Sequence, residues 1–578
     1  MTRVGFVMLA HTAPHRAVQV ARHWAVQGAP LVIHVDADAD ACDRDMRAGL
    51  ADLPGVSFCP RQRSSWGSWS LVAAALSGAG QMLDRHPEVD RIFLASGSCL
   101  PLRPLDELRA YLAAHPDTDF IESVVTSEAA WAQGGLEGER FRLHFPFSWR
   151  QQRWLFDRYV ALQRRYPWLV RRRIPPGVTP HLGSQWWCLT RETLHRILTD
   201  PRRDEIDRYF RGVWIPDESY FQTMARRHAR TIESRSLTLT KFDGTGLPNI
   251  FYDDHIDLLR RSEVFVVRKV WPEANRLYDS FLAPDPSPSG RTRLLAPDPA
   301  RIDRIFNQAI ERRKRGRPGL YMQTRFPRQG NETNATPQPY VVFQGFSDLL
   351  PGFADWLSRR HVGRVHGHLF AEKGAEFAAP ATTHFDGAIS ASAELRDYNP
   401  CAFLTSLLWN RRGERQVFQM SVRDTVPEVL YWFLATDPKA TIHVITGAWA
   451  VPLFLSGKPV PSLWREAARL QRIQSGQMKI IESAWTRARV RVWTLAEFLR
   501  QPEATLHALV RELQGSEILS PAPIPSLPDL AGFGRFLQML RNQGLRPERI
   551  GEFAEHEVFD EAFSTIGPQT PLAERGSS

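Results

Sequence analysis

The stretch "RVGFVMLAHTAPHRAVQVARHWAVQGAPLVIHVDADAD", residues 3–40, carries a strand, a helix and a second strand in turn. "RVGFVML" is an apolar run of strand length. "RAVQVARHWAVQ" spaces its apolar residues three and four apart, the period of a helix with one buried face. "PLVIHVDAD" is another apolar run that ends in acids. The rhythm continues downstream. "WSLVAAALSGAGQML" (69–83) reads as a helix and "DRIFLASGS" (90–98) as a strand running into small residues. "PLDELRAYLAAH" (104–115) is a helix with acids in its first turn. This β-α-β-α order predicts an α/β fold with a mostly parallel sheet and helices on its faces. Ligands of such sheets sit at the C-terminal ends of the strands, so Asp36 and the Ser96–Cys99 turn are expected on one rim.

Working outward, the chain has 578 residues and exceeds one ordinary domain. Hydrophobic residues make up 43% and charged residues 24%, the balance of a globular protein. The net charge of +10 is spread over short arginine clusters, such as 171–173 and 311–315. Diffuse basicity suits an anionic substrate or an acidic membrane surface; with no zinc-finger or RNA-recognition pattern, nucleic acid is not expected as a partner. The cysteines Cys42, Cys59, Cys99, Cys188 and Cys401 are odd in number and lack metal-ligand spacing. That favours buried thiols in a reducing compartment. The opening residues do not read as a signal peptide. The longest apolar stretch, 441–457, is broken by Pro452 and too short to span a bilayer. The expected location is the cytoplasm, with room for peripheral membrane contact.

The segment "APDPSPSGRTRLLAPDPA" (283–300) is rich in Pro, Ser and Gly, and a basic helix is expected near 301–315. A strand pattern restarts near 340. The expected organisation is therefore a first domain over 1–283, a linker with a basic helix over 284–335, and a second domain over 336–570. In the second domain "PYVVFQGF", "RQVFQMSV", "ATIHVITG" and "RVRVWTL" read as strands between helices, again α/β. His366 and His368 alternate along one further strand-like stretch, where they fit a base, a metal site or plain core histidines.

Three stretches carry the chemistry. "GVWIPDESYFQTMARR" (212–227) places Pro216, Asp217 and Glu218 at a helix start, where acids are favoured by the dipole. Aromatic neighbours Trp214, Tyr220 and Phe221 would strip hydration from a carboxylate, raise its pKa and make it a better base near neutrality. "SEVFVVRKVWPE" (262–273) holds Lys269, one of only two lysines in the first 300 residues, beside Arg268. A compact ammonium suits a phosphate oxygen. "HLGSQWWCLTRETLHRIL" (181–198) runs from a Gly-Ser turn into an aromatic strand and a helix. Gly183 and Ser184 let a sugar or phosphate approach the backbone, and Trp186 and Trp187 offer a stacking face or pack in the core.

Seven blocks taken in order resemble the core-2/I-branching β-1,6-N-acetylglucosaminyltransferases and the related peptide xylosyltransferases. They are "LVIHVDADAD" (31–40), "SSWGSWSLVAAAL" (64–76), "FLASGSCLPLRPLDELRAYL" (93–112), "FIES" (120–123), the 181–198 stretch, "IPDESYFQTM" (215–224) and "SEVFVVRKVWPEA" (262–274). The resemblance covers about residues 4–280. It implies a GT-A-like nucleotide-sugar fold that inverts configuration without a metal or other cofactor, using a UDP-sugar donor and a glycan acceptor. It places the catalytic base on Glu218 and the diphosphate ligand on Lys269, with Arg268 beside it. It puts Asp36, His11, Trp69, Ser96 and Gly97 at the donor, and Glu122, Gly183, Ser184 and Trp186 at the acceptor. Relatives often carry Asp where Cys99 stands. A second basic diphosphate ligand has no clear counterpart; Arg235, Lys241 and Arg268 remain open for that role.

The expected reaction is attack of an acceptor hydroxyl on the anomeric carbon, with Glu218 taking the proton and fixed cations stabilising the leaving diphosphate. The Asp36-Ala-Asp38 pair is disfavoured as a metal site because the strand end at 94–99 adds no acids. The expected donor is UDP-GlcNAc, in surface polysaccharide synthesis of a bacterial type; UDP-xylose and a non-catalytic glycan-binding protein are the alternatives. "VRVWTLAEFLRQPEATLHALVREL" (490–513) is similar to a late strand–helix segment of sulfotransferases, but "YVVFQGFSDLLPGF" (340–353) lacks the Gly-Thr-Thr pattern of that family's phosphosulfate loop.

Overall fold

In the computed structural model, the residues described are 2–126, 135–168, 172–242, 248–283, 335–378, 384–514, 523–545 and 547–553, with 308 and 326. The chain divides into two compact units, 1–309 and 310–578. Of the linker and basic helix expected over 284–335, only 308, 326 and 335 fall among the described residues.

The first unit is built on a seven-stranded sheet. Its strands are β1 (Val4–Ala10), β2 (Leu31–Val35), β3 (Val56–Phe58), β4 (Arg91–Ser96), β6 (Thr118–Ile121), β9 (Trp187–Thr190) and β10 (Thr231–Glu233), in the spatial order β10-β6-β9-β4-β1-β2-β3. β5 (Leu100–Pro101), β11 (Thr238–Leu239) and β12 (Val266–Val267) make a small second sheet, and β7 (Val124–Val125) pairs β8 (His181–Leu182). β2 and β4 are buried at every position, and β1 at all but one. That is why these runs read as continuous apolar stretches: helices cover both faces of a parallel sheet. The helix Trp69–Arg85 presents Val72, Ala75, Leu76, Ala79, Met82 and Leu83 to the sheet, at the spacing of one helical face. One strand departs from the parallel rule: β9 lies between β4 and β6 and is antiparallel to both.

β2 lies on one side of β1 and β4 on the other. The order reverses there, so His11, Asp36, Ser96 and Gly97, at the C-terminal ends of β1, β2 and β4, lie along the edge where such sheets bind ligands. The small sheet brings a distant segment to that edge. β12 runs antiparallel to β5, Leu102 N donates to Phe265 O, and Val270 N donates to Ser98 O. These bonds fix Arg268 and Lys269 beside the Ser96–Cys99 turn.

The second unit holds a five-stranded sheet in which every neighbour is parallel. Its strands are β13 (Tyr340–Gln344), β14 (Arg364–His368), β15 (Gln416–Met420), β16 (Ala440–Thr446) and β17 (Arg489–Thr494), ordered β14-β15-β13-β16-β17. All five positions of β13 are buried, as a central strand requires. Val341, Phe343, Ile445, Leu470, Leu506 and Phe536 belong to its core.

All five cysteines are free and buried. No helix among the described residues is long and apolar enough to cross a membrane.

Candidate active site

The acid pair sits differently from a plain helix start. Pro216–Glu218 is a single 3₁₀ turn, and the α-helix begins only at Tyr220. Ile215 enters the turn with a left-handed φ of 51°. Its N–H is held by Gly67 O, and Glu218 O accepts from Gly183 N at 3.0 Å. The turn is therefore clamped from both sides rather than frayed at a helix end.

The carboxylates lie among cations and aromatic rings. Arg140, fully buried, places Nη1 3.3 Å from Glu218 Oε2. The Arg140 guanidinium also stands 5.7 Å from the Trp214 ring centre. Burial pushes the Glu218 carboxyl above its ordinary value; Arg140 opposes this and the Glu122 carboxylate adds to it. Asp217 is raised to about 7, through burial and then the Glu218 charge. Its Oδ1 is buried without a hydrogen-bond partner.

β7–β8 pairing joins residues that the sequence reading expected at the acceptor. Val124 lies opposite Leu182, which brings Glu122 against Gly183 and Ser184. Ser184 N donates to Glu122 Oε2 at 3.0 Å, and Gln222 Nε2 donates to Ser184 O at 2.7 Å. A Cβ on Gly183 would come within 1.9 Å of Glu122 O, so only glycine fits.

Arg268 links this half of the site to the strand-end residues. Burial lowers its pKa, while the Cys99 and Asp217 charges act to raise it. Its guanidinium lies 4.2 Å from the centre of the Trp186 ring. Among these, His11 is lowered by partial burial, then by the charge of Lys269 and, more weakly, by Arg268 and Arg150; Asp36 opposes them. Glu218, Asp217, Arg268, His11, Lys269 and Asp36 thus form one chain of interacting ionisable groups.

Asp36 is fixed by its own loop: Oδ1 accepts from Asp38 N and Oδ2 from Ser64 N. Asp38 pairs with Arg63 at 2.9 Å and Asp40 with Arg61 at 2.8 Å. Two acids of the "DADAD" run are thus turned to arginines. Among the described residues no three His, Cys, Asp or Glu side chains cluster as a metal site.

Packing constrains several of the other residues. Trp186, expected to offer a face to a sugar, is 3% exposed and covered by Arg268, because the ring turns inward. Trp187 is also core. Trp69 packs edge-on against Tyr220 and lines a groove of about 710 Å³ with Gln81, Asp84, Arg203 and Arg211; no donor-side residue other than Trp69 reaches it. Gly97 is held in the turn by Leu9 O, and a Cβ there would press on Ala17 at 3.1 Å, which is a packing reason for the glycine. Ser96 is buried, with its Oγ 3.1 Å from Ser98 Oγ. Of the open candidates for a second diphosphate ligand, Arg235 is engaged by Glu233 and the Tyr111 hydroxyl. Lys241 feels the Glu122 charge. Arg268 alone interacts with both Asp217 and His11.

Sequence reasoning missed Arg140, Arg150, Trp66 and Trp149. Trp66 is 37% exposed and packs on Trp149 and Trp214, with Arg150 4.9 Å from its ring centre. This aromatic wall adjoins both Arg140 and His11 through Trp214 and Arg150. The pair of tryptophans in "SSWGSW" was the available signal, and it pointed to the wrong one of the two for this wall.

Residues 4–257 match the Core-2/I-Branching enzyme family, and residues 268–566 match a family of unknown function, DUF5927. Xylosyltransferase oxt of Drosophila melanogaster is 25% identical over 218 residues, 36% of this chain and 23% of that protein. Human Xylosyltransferase 1 is 24% identical over 249 residues, 42% of this chain and 24% of its own length. The matched region thus spans about a quarter of these relatives. The apo-form glycosyltransferase GlyE of Streptococcus pneumoniae TIGR4 aligns over 78% of this chain and 92% of its own, at TM-score 0.18 and 8% identity, a score at which the superposition places no residue. Residues 4–257 are thus similar to core-2/I-branching enzymes and, in part, to xylosyltransferases.

Proposed function

We infer the activity from this premise: the chain belongs to the DUF5927 family and carries a core-2/I-branching enzyme domain in residues 4–257. The N-terminal unit transfers a sugar from a UDP-sugar to a hydroxyl of a glycan, with inversion and without a metal. Glu218 is the general base. Burial raises its pKa, which makes it more basic than an exposed carboxylate. Arg268 and Lys269 stabilise the diphosphate as negative charge develops on it. His11 and Asp36 adjoin the nucleoside end of the donor, and Trp66 with Trp149 offers a wall for acceptor sugar rings. The supporting observation is that the ionisable side chains from Glu218 through Asp217, Arg268 and His11 to Lys269 lie near enough to shift one another's pKa.

UDP-GlcNAc is the donor on the branching reading. A second reading, UDP-xylose, is favoured by the names of the curated relatives. UDP release with each donor decides between them. Glu218→Gln is expected to lower turnover by about 10²–10⁴-fold. Lys269→Ala is expected to weaken UDP binding by about tenfold or more, the worth of a charge-assisted contact. Glycan binding without turnover on any donor would leave a binding module instead, and loss of turnover in EDTA would overturn the metal-free mechanism.

A further inference from the structure

Three loops at the C-terminal edge of the second sheet converge on one imidazole. β13 ends at Gln344, turns through Gly345 and enters the short helix Phe346–Leu349. Gly345 has φ 83°, and a Cβ there would lie 2.6 Å from Ile445 O, so the turn is held tight against the end of β16. This strand–turn–helix corner presents Ser347, half-buried, at the rim of the sheet. Ser347 Oγ is 2.8 Å from His368 Nε2, at the end of β14. His368 Nδ1 is 2.9 Å from Asp424 Oδ2 and 3.1 Å from Oδ1, beyond the end of β15.

The arrangement is braced. Asp424 Oδ2 accepts from Ser421 N at 2.8 Å, and the loop is pinned by Thr425 N donating to Phe370 O. Glu376 Oε2 takes the His368 N–H, which fixes the backbone under the ring. Asp348, next to Ser347, is turned away to the Ser421 hydroxyl at 2.8 Å. The His368 side chain is 19% exposed and that of Asp424 7%, so the relay reaches solvent at its serine end and is sheltered at its carboxylate end. Burial by itself would lower the His368 pKa; the Asp424 bond and the charges of Asp424, Glu376 and Asp348 reverse this and leave it raised. The nearby His366 is different: fully buried, it bonds Gln416 Oε1 and accepts from Ala378 N, and it is structural.

We propose that Ser347, His368 and Asp424 form a nucleophile, a base and a positioning carboxylate that hydrolyse a carboxylic ester. A triad is recognised by geometry and roles rather than by order in the chain. The Ser347 proton passes to His368 Nε2 as Oγ bonds to the ester carbonyl carbon. The bond from that carbon to the alcohol oxygen breaks, and the alcohol leaves with the proton from His368. Water then attacks the acyl-serine, gives its proton to His368 and releases the acid, restoring Ser347. Asp424 holds the Nδ1–H tautomer and the charged ring that forms between steps.

The test uses the full chain with a fluorophosphonate probe and with p-nitrophenyl acetate. The expected result is one adduct, mapped by peptide mass spectrometry to Ser347, and ester hydrolysis that Ser347→Ala lowers by at least 10²-fold with an unchanged melting temperature. Asp424→Asn keeps the shape of the carboxylate. It is expected to lower the rate by at least 10²-fold and to move the acid limb of the pH–rate profile to lower pH. An unlabelled wild-type protein, an adduct on another residue, or wild-type hydrolysis by Ser347→Ala overturns the proposal. The wild-type labelling result stands whether or not a variant folds.

Discussion

The buried Arg140 guanidinium stands 3.3 Å from the Glu218 carboxylate. On the proposed mechanism this contact sets the working range of Glu218 as base. Burial raises Glu218, and Arg140 is the strongest influence in the other direction. Arg140→Gln is expected to raise the Glu218 pKa further, so the acid limb of the transfer rate moves to higher pH and the rate at pH 6 falls more than the rate at pH 8. Because Arg140 is fully buried while the Glu218 side chain is 30% exposed, the variant is also expected to lose stability, by less than a fully buried pair would, which a melt reads. An unmoved acid limb would remove Glu218 from the role of base.

Asp217 is raised to about 7 against an ordinary 3.8. A carboxyl raised on folding adds stability below its unfolded pKa and loses it as pH rises through the folded value. Asp217→Asn is therefore expected to gain stability relative to the parent between pH 4 and pH 8, by up to roughly 4 kcal/mol, with little difference below pH 4. Thermal melts across that range check it, and a difference independent of pH would contradict it.

Gly183 has no room for a methyl group, since Glu122 O would lie 1.9 Å away. Gly183→Ala is expected to push the 181–184 strand end off Glu122 and to loosen the Gly183 N–Glu218 O clamp. The stability loss is about 1–3 kcal/mol, as for other overpacked sites. Turnover is expected to fall more than UDP affinity, which activity assays and calorimetry separate.

In the second unit His443 is 1% exposed, stacks on Phe343 and has no partner for either ring nitrogen. Burial pushes it down to about 4. A histidine lowered on folding supports the fold above its unfolded pKa, and that support is lost as pH falls from about 6.5 to about 4. His443→Phe is expected to flatten the loss of stability in this window by up to roughly 3 kcal/mol. Melts at pH 7 and pH 5 test it; parallel decline in both proteins would count against it.

The strands of both sheets were legible because parallel strands buried on both faces leave long apolar runs. "LVIHV", "IFLAS", "YVVFQ" and "HVIT" all fall inside observed strands. The antiparallel insertion of β9 left no such mark, since its sequence is the same whichever way it runs. The turn that carries Asp217 and Glu218 was legible from its Pro-Asp-Glu motif. Arg140 was not: nothing in "GERFRLHF" distinguishes it, and it is brought in by the small core of Phe145, Phe156 and Val160 with Trp214. For Trp186 and Trp66 the residue type was informative and the direction was not. Trp186 is covered by Arg268, more than eighty positions later in the chain, while Trp66 packs on Trp149 and Trp214. Ser347 was read past for a similar reason, because its partners come from two other loops.

The amino ends of the first sheet carry a practical consequence. The turn 51–55, leading into β3, is mostly exposed and lies at the opposite edge from His11, Asp36 and Lys269. A biotin or dye grafted there would tether the protein to a sensor surface with those residues facing the liquid, so that donors and glycans can be screened on the immobilised molecule.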